Sequence, residues 1–351
     1  MATSGSDPMF LKAVNCFGEV KDKYFIANLM KEVIHEVGRQ NVVQVITDNA
    51  ANCKGAGELI EMEFPHIYWT PCVVHTLNLA LKNIFAAKNV SGNEVAYDAC
   101  SWLANLLKLL RRGLQAMVIS DDWSSYKEDE PGKAGKLKEV ILLDMWWDTI
   151  DYVIDFTNPI YDMIRYCDTD KPCLHLVYEM WDSMIKKVKI TIFKYEELPL
   201  TGTSKFFDVV YEILIARWTK SNTPLHCLAH SLNPSDEWLV KDSSRVAPHR
   251  DGEISRERMR CFRRLFPLAD DLSKAMDEYA LFSMKGGPFE DLTIMSKMAT
   301  MEPKSWWANS GAETPLLQTL AFKLLGSPLP LLVVSGIGVH TTSFTHLEGT
   351  N

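Results

Sequence analysis

The start of the chain alternates short β-branched runs with helical patterns, and this alternation limits the fold more than any other feature. Residues 41–47 (NVVQVIT) are a β-branched run bounded by polar residues, which predicts a buried strand. Similar reasoning predicts strands at 9–15 and 66–69, and apolar residues at helical spacing predict helices at 22–37, 50–63 and 71–85. Strands that alternate with helices are typical of an α/β layered sheet.

The pattern changes near residue 90, after which long amphipathic helices dominate. Helices are predicted at 94–117, 137–167, 174–196, 205–219, 255–266 and 315–325. Residues 121–135 and 233–255 are polar and predict loops. We therefore expect an α/β piece followed by a mostly helical body.

Charge, cysteines and hydropathy narrow the class of protein. With 37 basic and 45 acidic residues the net charge is -8, so we expect at most a local basic face to contact nucleic acid. The eight cysteines are widely spaced and no signal peptide is apparent, which predicts reduced thiols inside the cell. The longest apolar stretch, 329–339, is too short for a bilayer, and we expect no membrane partner.

Asp48 is the first candidate for chemistry because it directly follows the predicted strand 41–47. In α/β sheets, ligands bind at the carboxyl ends of strands, and carboxylates there can hold Mg²⁺. One aspartate after a strand is weak evidence, however. The alternative is that Asp48 or Asn49 caps the helix that starts near Ala50.

Cys72 and His75 form a C-x-x-H pair at the start of a predicted helix. A structural zinc site needs four ligands, usually two such pairs, and we find no second pair in register. A buried, hydrogen-bonded helix pair is the favoured interpretation, and no metal site is expected.

Arginines form a stripe on the helix predicted at 255–266. Residues at i, i+4, i+7 and i+8 share one helix face, and here these are Arg256, Arg260, Arg263 and Arg264. Such a stripe could follow the phosphates of a nucleic acid. A solvated helix face explains it equally well.

Two apolar features lie near the C-terminal end, the pair Trp306-Trp307 and the apolar helix 315–325. Because exposed tryptophan pairs are costly, we expect these residues to lie either in the hydrophobic core or in an interface with a partner. The chain contains neither a P-loop nor a G-x-G-x-x-G motif.

Taken together, these motifs resemble plant hAT-superfamily transposase-like proteins. The resemblance is densest over residues 9–85, where Thr47-Asp48-Asn49-Ala50-Ala51-Asn52 precedes Tyr68-Trp69-Thr70-Pro71-Cys72 and His75. It continues through Arg217-Trp218, Pro224-Leu225-His226, Leu232-Asn233-Pro234 and Glu302-Pro303-Lys304-Ser305-Trp306-Trp307 to about residue 326.

The resemblance implies a ribonuclease-H-like mixed sheet interrupted by a large helical insertion. We accordingly expect a partial ribonuclease-H-like core at 1–90, a helical insertion at 91–300 and the start of a dimerisation region at 301–326. In this family an Asp-Asp-Glu triad holds two Mg²⁺ ions for DNA strand transfer. Asp48 matches its second aspartate, and Asn49, Cys72 and His75 match motif residues near the active site. Candidate dimerisation residues are Trp306, Trp307, Leu316, Leu317 and Leu320.

Two departures from the family pattern affect the expected activity. The family's first aspartate lies upstream of the residues that match Met9 to Val14, so we expect this chain to lack it. After Gly326 the family continues with Cys-Glu-Arg-Asn-Trp, whose glutamate completes the triad, whereas residues 327–351 match nothing in the family. Permitted codons for residues 329–338 yield that motif in another frame, which predicts a frameshift near Ser327.

The resulting expectation is a catalytically inactive transposase-derived protein. It would need no cofactor, the ancestral one being Mg²⁺, and would bind DNA, a weakly associated second copy, or both. The alternative is a domesticated interaction module that acts as a scaffold or a DNA-associated regulator. The resemblance implies a nuclear location.

Overall fold

The structure, a computed structural model, describes residues 11, 13–86, 101–125, 132–169, 171–237 and 245–326. The expected tail at 327–351 and residues 94–100 of a predicted helix lie outside this part of the chain. Within it, no helix combines the length and the apolar character needed to cross a bilayer. None of the seven cysteines in the described segments forms a disulfide.

The first five elements alternate as predicted, in the order α1 Lys23–Val37, β1 Gln44–Thr47, α2 Ala51–Glu63, β2 Tyr68–Pro71 and α3 Val73–Ala86. The first part of the helical body contains α4 Ser101–Val118, α5 Asp121–Ser125, α6 Lys133–Leu142, α7 Asp144–Cys167, α8 Val177–Tyr195, α9 Lys205–Ser221, α10 Pro224–Ser231 and α11 Pro234–Glu237. The second part contains α12 Gly252–Leu265, α13 Ala269–Ser283, α14 Leu292–Lys297, α15 Pro303–Ser310 and α16 Pro315–Leu325.

The strands β1 and β2 pair in parallel, with Val45 opposite Trp69 and Ile46 opposite Thr70. Because successive side chains on a strand point to opposite faces, the side chains of these two pairs pack on opposite faces of the sheet. Val45 belongs to a small core formed with the buried faces of α1 and α2. Ile46 belongs to the large core that continues into the helical body.

Helix α2 packs closely against strand β2 at Gly57. A Cβ atom added at Gly57 would lie 2.2 Å from Cγ of Trp69. The indole of Trp69 therefore occupies the space of a side chain on α2, and its Nε1 donates to Oγ1 of Thr47 at 2.9 Å. Only glycine is compatible with this packing.

The helical body shares one hydrophobic core with the sheet. Helix α3 packs against α7 and α9, which brings Leu77 and Leu81 into the same cluster as Phe156 and Phe206. The boundary expected near residue 90 is thus not a break in the core.

Several expectations about the elements need correction. Within the described segments the sheet is a parallel pair and not the mixed sheet expected from the resemblance. The strand predicted at 9–15 is absent from its described residues, 11 and 13–15, because no neighbouring strand pairs with them and Val14 is exposed. The helix predicted at 137–167 is two helices, since Leu143 is extended at φ -80° and ψ 114°.

The two predicted loops are also partly helical. Residues 121–135 include α5 and the start of α6, and residues 233–255 include α11 and the start of α12. Polar composition misled the prediction, because Asp251 begins a helix by accepting hydrogen bonds from the N–H groups of Glu253 and Ile254.

Candidate functional site

The carboxyl ends of β1 and β2 meet at the candidate site. The N–H of Cys72 donates to the carbonyl of Thr47 at 2.7 Å, which places the residues after each strand side by side. Asp48 and Asn49 follow β1 and are half-buried. The structure therefore brings together the residues that the sequence singled out, namely Asp48, Asn49, Cys72 and His75.

The Asp48 carboxylate organises the turn that leads into α2. Its Oδ1 accepts a hydrogen bond from the N–H of Ala50 at 3.0 Å. Ala50 is itself the N-cap residue of α2 and receives no side-chain cap. The expectation that Asp48 or Asn49 caps this helix directly is therefore corrected: Asp48 holds the residue that precedes the first turn.

A buried thiol lies beside this carboxylate. Burial, together with the hydrogen bond and the charge of Asp48, raises the pKa of Cys53 to about 12. Cys53 is therefore a neutral thiol at physiological pH and not a thiolate. A second negative charge, on the sulfur of Cys53, is therefore disfavoured beside the Asp48 carboxylate.

Cys72 and His75 are used to begin helix α3. The backbone N–H of His75 donates to Sγ of Cys72 at 3.5 Å, so the thiol caps the first turn. Burial raises the pKa of Cys72, and the carboxylates of Asp168 and Asp48 add to the increase. In the described part of the chain, no group of three or more His, Cys, Asp and Glu side chains is arranged to hold a metal ion.

Asp168 is a site residue that the sequence did not indicate. It is the C-cap residue of α7, and its charge acts on both Cys72 and Cys167. A carboxylate from the helical body therefore lies near the carboxyl ends of the strands. No local sequence signal marks this position, because the proximity arises from the packing of α3 against α7.

The arginine stripe on α12 is divided by the structure. Arg256, Arg260 and Arg263 are exposed, and Arg260 forms an ion pair with Glu257 at 3.1 Å. These three guanidinium groups lie at i, i+4 and i+7 on the solvent side of the helix. They remain compatible with both interpretations of the stripe.

Arg264 does not belong to that exposed surface, which corrects its prediction as a phosphate-binding residue. Its guanidinium donates to the carbonyls of Pro65 and Ile67, and Nη1 lies 2.9 Å from Oε1 of Glu61. It also covers the ring of Tyr68, 3.9 Å from the centroid. These contacts attach α12 to the segment between α2 and β2.

The candidate dimerisation residues lie inside the chain. Trp306 and Trp307 are about 1% and 0% exposed, and their indole N–H groups donate to the carbonyls of Ile294 and Leu232. On α16, Leu317 and Leu320 are buried and Leu316 is half-buried. The core interpretation is thus the correct one, and a second copy cannot reach the tryptophan pair without unpacking it.

Comparison with known families adds one match. Residues 1–100 match the family model described as Domain of unknown function (DUF659). A comparison with curated proteins found no match. The matched segment contains β1, β2 and the residues at their carboxyl ends, and the family is found in hAT-like transposase-related proteins.

Proposed function

We propose that the chain is a plant hAT transposase-derived protein that binds nucleic acid but performs no DNA strand transfer. The DUF659 match over residues 1–100 supports the transposase relationship. The order strand, Asp48, helix, strand, Cys72 supports a ribonuclease-H-like origin for the sheet. In keeping with that origin, the protein would act in the nucleus.

The environment of Asp48 is the observation that carries the loss of chemistry. Strand transfer by two Mg²⁺ ions requires several carboxylates within a few Å of one another. Here Oδ1 of Asp48 accepts the N–H of Ala50, the neutral thiol of Cys53 lies beside the carboxylate, and Cys72 is also a neutral thiol. Neutral thiols are poor partners for Mg²⁺, which prefers oxygen ligands. No metal cofactor is therefore part of the proposal.

The exposed arginines of α12 support nucleic-acid binding. Arg256, Arg260 and Arg263 present three guanidinium groups along one side of a helix. Such groups bind phosphates without reading base sequence. Since the whole chain is acidic, binding would be confined to this surface and would weaken steeply with salt.

Fluorescence anisotropy with a labelled DNA duplex over a salt series tests this function. Replacing Arg256, Arg260 and Arg263 with alanine should lower the slope of log K against log[salt] by up to about 3, because each phosphate contact contributes roughly 0.9. The matched control replaces the exposed Lys54, Lys136 and Lys187, which lie on other helices. Equal losses in both variants would attribute binding to net charge and would refute a role for the α12 stripe.

The alternative function is protein interaction, and one observation favours it. Helices α4, α6 and the start of α7 expose large apolar side chains, including Leu109 at 84% and Met145 at 72%. Exposed apolar patches commonly mark interaction surfaces. This surface, and not Trp306 and Trp307, would then contact a partner or a second copy. Light scattering on the wild type and on Leu109→Lys with Met145→Lys tests it, because a dimer built on this surface should dissociate.

A further inference from the structure

A pocket on the helical body, away from Asp48, is lined by aromatic and acidic side chains. It lies between α8, α9 and α10 and the segment that leads into α12, with a volume of about 310 Å³. Its aromatic side chains are Tyr178, Trp181, Trp218 and His230. The sequence showed Arg217-Trp218 and the apolar spacing of α8, but not that these rings meet.

The rings are in mutual contact and form a continuous aromatic wall. The centroid of Trp218 is 5.6 Å from Tyr178, with the planes at 74°, and 5.1 Å from Trp181. Tyr178 stacks on His230 at 5.1 Å and 21°. Tyr178 and Trp218 are half-buried, so this wall is partly open to solvent. Aromatic walls of this kind attract cations through the negative faces of the rings.

Among the described residues, the charges around the pocket are predominantly negative. Glu179, Asp182 and Asp251 line it, and Asp236 lies behind Arg245. The two lysine and arginine side chains that line it in this part of the chain already have partners: Arg245 pairs with Glu179 and with Asp236 at 3.6 Å, and Lys186 pairs with Asp182 at 2.7 Å.

One further observation agrees with a negative potential at the pocket. Burial raises the pKa of Tyr178, and the charges of Asp251, Glu253 and Asp182 add to the increase.

We propose that this pocket binds a compact organic cation, a substituted ammonium group of the size of tetramethylammonium. Such a cation would contact the rings of Trp218 and Tyr178 and would be stabilised by the excess of carboxylates. A nucleotide is the less favoured ligand, because its phosphates would meet this acidic surround while Arg245 and Lys186 are engaged.

Isothermal titration calorimetry on the full chain tests the proposal with tetramethylammonium chloride and the neutral isostere 2,2-dimethylpropan-1-ol. We expect the cation to bind at least about tenfold more tightly than the alcohol, a preference of roughly 1.4 kcal/mol. Equal binding of both, or no binding of the cation, would overturn it. Adenosine monophosphate is titrated in parallel, and tighter binding of this anion, dependent on Trp218, would overturn it in favour of a nucleotide site.

Variants locate the site and separate binding from folding. Trp218→Ala should weaken tetramethylammonium binding at least about tenfold, and Trp218→Phe should retain part of it because a ring remains. Asp182 is exposed, so Asp182→Asn leaves the aromatic wall intact. The substitution should still weaken binding severalfold, because it removes a carboxylate and leaves the charge of Lys186 without its partner. Tyr211→Ala, on the exposed side of the same helix α9, is the control and should bind as the wild type does. Unchanged affinity in both Asp182→Asn and Trp218→Phe would place the cation elsewhere.

Discussion

Arg264 and Glu61 are 203 residues apart in the sequence, yet Nη1 of the arginine lies 2.9 Å from Oε1 of the glutamate. The same guanidinium donates to the carbonyls of Pro65 and Ile67 and covers the ring of Tyr68. One side chain of α12 thus satisfies the backbone of the turn that leads into β2. This contact explains how the helical body is fixed to the α/β unit.

Removing this contact should destabilise the protein. Arg264→Ala leaves the carbonyls of Pro65 and Ile67 without this donor, and Glu61 keeps only the N–H of Trp69 and loses its cationic partner, so we expect a loss of about 2 kcal/mol in the free energy of unfolding. Urea denaturation measures it. Arg260→Ala on the same helix is the control and should change stability by less than about 0.5 kcal/mol, because its ion pair is exposed. Equal effects would show that the Arg264 contacts contribute nothing.

The close approach of α2 and β2 gives a matched pair of glycine variants. Gly57→Ala would place a Cβ 2.2 Å from the Trp69 ring, whereas Gly55→Ala would meet only the side chain of Lys23, with Cδ at 3.0 Å and Cβ at 3.2 Å. We expect Gly57→Ala to cost about 2–3 kcal/mol through overpacking. Gly55→Ala should be neutral or stabilise by up to about 1 kcal/mol, because alanine favours helix. Thermal unfolding of both variants compares them, and an equally tolerated Gly57→Ala would contradict the packing.

The alternation from Lys23 to Ala86 could be predicted because periodicity and β-branched runs act locally. The two strands were located to within a few residues, at Gln44–Thr47 and Tyr68–Pro71. The break of the helix at Leu143 could not be predicted, since residues 137–167 are apolar at helical spacing on both sides of it. The breaks and short helices depend on tertiary packing, which overrides local preference.

Glu278 should make stability depend on pH. Its Oε2 accepts the N–H of Leu317 at 2.9 Å and so caps α16 from α13, while burial raises its pKa. For a carboxyl group with a raised pKa, the stabilisation is present below the unfolded pKa and is lost as the pH rises through the folded pKa. Glu278→Gln keeps an acceptor without the charge, so wild type should lose stability relative to this variant as pH rises from 4 toward 7.

Urea denaturation across this pH range measures the difference between wild type and Glu278→Gln. Glu278→Ala is the contrasting variant, because it removes the cap without leaving a titratable group and should be less stable than Glu278→Gln by about 1 kcal/mol at every pH. A constant difference between wild type and Glu278→Gln would show that Glu278 does not titrate differently on folding.

His175 should act in the opposite direction. Burial lowers its pKa to about 4, so the folded protein holds it neutral. A lowered folded pKa gives stability that is present above the unfolded value of 6.5 and is lost as the pH falls through about 4. Compared with His175→Leu, wild type should lose roughly 1–3 kcal/mol between pH 7 and pH 4. Urea denaturation at pH 7, 5.5 and 4.5 tests this, and parallel curves for the two proteins would contradict it.

The candidate site was only partly predictable. Asp48 and Cys72 follow strands, and position relative to a strand can be read from the sequence. The stripe from Arg256 to Arg264 was predicted as one surface, but the helix turns Arg264 toward Pro65. The sequence allowed Trp306 and Trp307 to lie either in the core or in an interface. It could not decide between the two, because the burial of these tryptophans depends on Phe282 and Phe289, which are distant in sequence or separated from them by a turn. The acidic neighbour Asp168 carried no local signal at all.

Incubation of the purified chain with supercoiled plasmid and Mg²⁺ tests whether the protein binds nucleic acid without strand transfer. Wild type and Asp48→Ala are compared for nicking, and a gel shift on the same samples measures binding. We expect both proteins to shift the DNA in a salt-dependent way and neither to nick it. Mg²⁺-dependent nicking by the wild type that is lost in Asp48→Ala would show that the protein is an active strand-transfer enzyme.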